Sequence, residues 1–138
     1  MKTVAIAFLT LAFASVVRIA VAEPPKPDGT VREILKQSVP NISGADVTVL
    51  TVDYPPGGST PPHEHPGNTY AYVLKGSVMS QLGDEPPHTY TEGQMWSETP
   101  HQHHMISRNA SETEPAKLLV FFVAPKDAKL TTMLPAKP

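Results

Sequence analysis

Between residues 46 and 123, short apolar and β-branched stretches recur every 8 to 12 residues between turn residues, the spacing of strands in an all-β domain. Residues 46–54 (Asp-Val-Thr-Val-Leu-Thr-Val-Asp-Tyr) are rich in β-branched side chains and predict a strand. Residues 70–74 predict a second, broken at Gly76, with residues 77–82 returning as its hairpin partner. A short strand is expected at 88–90, and Glu92-Gly93 turns the chain into 94–98. A further strand follows at 105–107. The continuous apolar run at 117–123 predicts a central strand. Short strands separated by turn residues, with no long helical pattern, predict an all-β sandwich or barrel. The 16 prolines fit that class and not a helical bundle.

The ends read differently. Residues 1–22 have a basic start at Lys2, an apolar run up to Val17, and Ala20-Val21-Ala22 as a cleavage site, the signature of a secretory signal peptide. The run is shorter than the roughly 20 residues of a spanning helix, and Arg18 interrupts its end. Export to a periplasm or to the exterior is therefore expected, with no stable membrane anchor after cleavage. Residues 23–45 form a leading arm in which 31–37 is either a short helix capped by Thr30 or a first strand. Residues 46–124 are the single barrel domain, and 125–138 a tail expected to run over the surface.

Cleavage would remove Lys2 and Arg18 from the 11 basic residues, leaving 9 against 13 acidic ones. A mildly acidic domain without a basic cluster argues against nucleic-acid and anionic-membrane partners. The absence of cysteine excludes disulfides, thiolate metal sites and thiol nucleophiles.

The chemistry points to histidine. His63 and His65 follow the turn Pro55-Pro56-Gly57-Gly58 and, in extended backbone, project to one side while Glu64 projects to the other. Two imidazoles on one face can chelate a divalent metal. A later cluster, His101, His103 and His104, can supply a third ligand. His88 reads as a surface strand residue, and Met79, Gln81 and Trp96 as core or cavity wall. Asn41-Ile42-Ser43 and Asn109-Ala110-Ser111 match the glycosylation sequon, which matters only in a eukaryotic secretory route.

Gly57, five residues, His63-Glu64-His65, three residues, Thr69, six residues and Gly76 follow the spacing of the first cupin motif. Thr69 stands where the motif has glutamate. Gly93, Pro100, a histidine and Asn109 match the second motif more loosely. The chain thus resembles a small single-domain cupin over residues 47–123. That resemblance implies a jelly-roll or conical β-barrel with a metal near its mouth, a small-molecule ligand or substrate, and a homodimer. It also implies the ligand set His63, His65 and His104, with His103 as the alternative and His101 third.

Three neutral imidazoles would leave a divalent ion its full charge and favour anionic, chelating substrates. They suit Fe, Zn, Ni or Cu, with Mn also among the ions cupins bind. Thr69 would hydrogen-bond a metal-held water or fill space. Glu98 would be an acceptor behind the ligands, a general base, or a solvated strand end. Two functions compete: a three-histidine metalloenzyme, dioxygenase-like, acting on a small oxygenated or anionic molecule, and a non-catalytic barrel that binds a small ligand or metal.

Overall fold

The apolar and β-branched stretches of the sequence become strands of two antiparallel sheets. The computed structural model describes residues 28–135. The expected signal peptide lies outside the described residues. Among the described residues there are eleven strands and no helix: β1 (Thr30–Ser38), β2 (Ala45–Tyr54), β3 (Ser59–Thr60), β4 (His63–Glu64), β5 (Asn68–Lys75), β6 (Ser77–Leu82), β7 (His88–Thr91), β8 (Met95–Glu98), β9 (His104–Asn109), β10 (Ala116–Pro125) and β11 (Thr132–Met133). One sheet runs β1-β2-β10-β5-β8 and the other β11-β4-β9-β6-β7, with β3 beside β9. This is an all-β jelly roll.

The apolar run that predicted a central strand is β10, hydrogen-bonded on both sides along its length. Its even-numbered residues Leu118, Val120 and Phe122 are buried beside Val52, Ala71 and Trp96 on the inner face of the same sheet, and share the core with Val78 of the opposite one. Burying each such large side chain contributes about 1.5–3 kcal/mol. Residues 31–37 resolve as strand rather than helix, laid along the edge of β2. The outer face of this sheet exposes Tyr70, Tyr72, Leu74, Met95 and Phe121.

One expectation is corrected. β6 is not the hairpin partner of β5: it pairs with β7 and β9 in the opposite sheet. Gly76, at φ +74° and packed against Pro115 and Ala116, turns the chain from one sheet into the other. The tail lies at the surface, where Thr132 and Met133 pair with Glu64 and His63. Met79 and Gln81 lie on the outer side of β6, while Val78 and Ser80 point inward.

Loop positions near the histidines are fixed by close contacts. At Gly67 a methyl group would press on the Val123 carbonyl and lie 2.6 Å from the Ala124 Cα. Asn109 is fully buried, its amide donating to the carbonyls of Pro55 and Glu114 and accepting from the Ser111 N–H. A side chain so engaged is not free to be glycosylated, whereas Asn41 lies in a surface turn.

Candidate metal centre

The site follows from register. His63 of β4 lies opposite His104 of β9, so both side chains enter the space between the sheets. His65 follows two residues later on the same side. All three rings are buried. One ligand nitrogen from each lies within 4.8 Å of the others, and the His63 ring centroid stands 4.8 Å from that of His65 and 4.9 Å from that of His104.

Backbone carbonyls set the tautomers of the first two rings. His63 Nδ1 is 2.7 Å from the Pro61 carbonyl oxygen and His65 Nδ1 is 2.6 Å from that of Leu130. A carbonyl can only accept, so each Nδ1 carries the hydrogen and each Nε2 turns a lone pair inward. His104 is held through Nε2 by the Ser80 hydroxyl at 2.8 Å. Its Nδ1 is buried with no hydrogen bond. Burial disfavours the charged imidazolium and pushes the pKa of His63 down to about 4 and that of His65 downward.

A carboxylate shares the space. Glu98 of β8 lies directly opposite Thr69 of β5, which places both on one face. Glu98 is 4 % exposed, so the reading of it as a solvated strand end is corrected. Oε1 accepts the Trp96 indole N–H at 3.0 Å and lies 3.3 Å from His104 Nδ1. Oε2 is 3.7 Å from His65 Nε2 and has no hydrogen-bond partner. Burial alone would raise the carboxyl pKa, but the His104 and His65 rings and the Trp96 N–H outweigh it and hold it below the usual range. The three expected imidazoles are thus joined by a buried carboxylate that lies beside two of them. Thr69, also buried, directs its hydroxyl to the Gly67 carbonyl at 3.4 Å.

The unpartnered buried atoms His104 Nδ1 and Glu98 Oε2 sit beside inward lone pairs of His63 and His65. That donor set fits a divalent cation, which would satisfy every one of them. The site opens on a cavity of about 390 Å³, walled by Leu50, Val52, Val120 and Phe122 with Tyr54 as a polar element. The Tyr54 hydroxyl bonds Thr60 at 2.6 Å and Ser107 at 2.9 Å.

A family model described as a cupin domain matches residues 50–122. The chain belongs to the cupin family. No curated protein sequence matches it. Among solved structures, this cupin is similar to the DMSP lyase DddQ from Ruegeria pomeroyi DSS-3, at 18% identity and TM-score 0.63, covering 76% of this chain and 51% of that one. It thus spans about half the length of that lyase. An uncharacterized protein with a double-stranded β-helix domain from Klebsiella pneumoniae matches at 22% identity and TM-score 0.62, covering 83% and 90%. An oxalate oxidase in complex with the substrate analogue glycolate matches at 24% identity and TM-score 0.51, covering 56% and 42%. These likenesses show the shared fold.

The other histidines of this cupin stay outside the barrel. His101 and His103 are exposed and flank Glu64 on the outer side of the strand, at 3.1 Å and 3.8 Å. His88 is exposed, its ring 4.5 Å from Tyr90. The tail supplies two features that the sequence did not signal: the Leu130 carbonyl behind His65, and the cavity-wall residues Thr131 and Met133.

Proposed function

We propose that this cupin holds one divalent metal ion on His63, His65 and His104 and acts as a mononuclear metalloenzyme on a small oxygenated or anionic molecule, with dioxygenase-like chemistry. The observation that carries the reading is the convergence of three buried imidazoles, two of them locked with lone pairs inward, at the wall of a cavity. A bound ion would supply Lewis acidity and, if redox-active, electron exchange. The chain's own residues do the rest. The apolar wall excludes water, and the Tyr54–Ser107–Thr60 hydroxyls offer a polar contact to a substrate oxygen. The solved neighbours named for lyase and oxidase activities take small molecules, which supports the substrate class. Export rests on the sequence of residues 1–22, and a homodimer on the exposed apolar outer sheet face.

The test is metal content of untagged protein beside a His63→Ala/His104→Ala variant. Stoichiometric metal in the first and none in the second is expected; equal traces in both would end the proposal. Oxygen uptake with catechols, flavonols, diketones and thiol acids then assigns the chemistry. A second reading, a non-catalytic barrel for a small ligand, is favoured by the largely apolar cavity wall. Tight ligand binding without turnover would establish it.

A further inference from the structure

The first cupin motif loses its glutamate here to Thr69, yet the cavity still contains a carboxylate. We infer that Glu98 is the fourth metal ligand, delivered from β8 to the place that a glutamate at position 69 would reach from β5. The inference rests on the proposed metal site and names a ligand beyond its three histidines.

The register carries it. Thr69 and Glu98 are direct partners in the β5–β8 ladder, and residues directly opposite in an antiparallel pair have Cβ atoms about 4.5–5.5 Å apart on the same face. A carboxylate moved across that step, on a flexible glutamate side chain, serves the same volume. Both side chains line the cavity, together with the three rings.

The distances to two of the three rings come close to those of shared coordination. Two donors each about 2.1 Å from one ion lie roughly 3 Å apart at right angles and about 3.4 Å apart in a tetrahedron. Glu98 Oε1 is 3.3 Å from His104 Nδ1, and Oε2 is 3.7 Å from His65 Nε2. The electrostatics agree as well. The tautomers fixed by Pro61 and Leu130 leave neutral His63 and His65 with lone pairs inward. Lone pairs facing a buried carboxylate repel unless a cation lies between them. Glu98 is also held from behind, since Trp96 donates to Oε1 and leaves Oε2 free. A buried carboxylate oxygen without a hydrogen bond is what a ligand oxygen looks like before its ion is counted.

The test titrates the metal-free protein with Co(II), reading affinity by competition with a chromophoric chelator and coordination by the visible absorption of the bound ion. Wild type is expected to bind one equivalent. Glu98→Gln, nearly identical in shape, is expected to weaken binding at least 100-fold and to change the absorption spectrum. Glu98→Thr should bind as poorly, and Thr69→Glu/Glu98→Thr, which moves the carboxylate back across the strand pair, should recover affinity to within about tenfold of wild type. Circular dichroism checks that each variant folds. A folded Glu98→Gln that binds within threefold of wild type with an unchanged spectrum would overturn the inference while leaving the histidine site standing. If the double variant does not fold, Glu98→Gln decides alone. Wild type that binds no ion would instead overturn the metal reading itself.

Discussion

Lowering the pH of the metal-free protein should destabilise it through His63, by an amount that the structure sets. In the unfolded chain this ring titrates near its ordinary 6.5; in the fold, burial among apolar walls and beside two other imidazoles brings it down to about 4. Between those values the unfolded state takes up a proton that the folded state refuses. Stability is therefore full above about pH 6.5, falls as the pH drops toward 4, and loses nothing more from this group below that. The gap is worth about 3 kcal/mol. With the ring only 4 % exposed, solvent screening takes little of it away. Against a typical total of about 5–15 kcal/mol, that is a large share, and it corresponds to a fall in Tm of roughly 10–20 °C for a domain of this size. Urea unfolding followed by the fluorescence of the single tryptophan, Trp96, at pH steps from 7 to 4 measures it. A His63→Leu variant removes the titrating group and keeps an apolar filler. His65, also pushed down, and Glu98, which loses its stabilisation only at the acid end of this range, titrate in both proteins and cancel in the comparison. Wild type should lose about 3 kcal/mol more than the variant across the range. Parallel stability curves would refute the account of His63 as a ring kept neutral by burial.

Two further predictions concern the scaffold that holds the site. Asn109→Asp would turn a carboxylate toward the Pro55 and Glu114 carbonyls, which now accept from the amide; a loss of about 3 kcal/mol or more is expected by chemical denaturation, and an unchanged midpoint would contradict it. Gly67→Ala would force β4 and β5 away from β10 at Val123 and Ala124, costing about 1–3 kcal/mol and weakening metal binding by displacing His65, both readable by thermal melts with and without the ion.

How much of this was legible in the sequence depends on the range of the interaction involved. Strand identity is local: alternation and β-branching at 46–54 and the apolar run at 117–123 marked β2 and the central β10 directly. The same-face placement of His63 and His65 follows from a period of two. His103 and His104, by contrast, differ by one step, and in a strand one step reverses the face. Only the pairing of His104 with His63 shows which of them turns inward. Gly76 reads as a hairpin turn in any local window. That β6 leaves for the opposite sheet is decided by its partners β7 and β9, residues far along the chain. Glu98 was obscure for the same reason. At a strand end beside a proline-containing loop it looks solvated, and nothing local indicates that its opposite number is Thr69.

The Thr69–Glu98 pairing also changes what the site should prefer. Three imidazoles alone would present an ion of undiminished charge, and such a centre would draw anionic chelators strongly and lean toward the nitrogen-loving end of the divalent series. Glu98 as the inferred fourth ligand would halve the net charge of the centre and add a hard oxygen donor, which would shift the balance toward Fe(II) and Mn. An anionic substrate is still attracted, though less steeply, so the apolar wall takes a larger part in selecting it. With an ion held as proposed, substrate choice would follow from two separable sources: Leu50, Val52, Val120 and Phe122 would admit the body of the molecule, while the residual charge on the ion would orient its oxygen atoms. Replacing Glu98 with glutamine should therefore tilt binding toward more highly charged ligands even as it weakens hold on the ion. A wall substitution such as Val120→Ala should alter the size of ligand accepted and leave that charge preference in place.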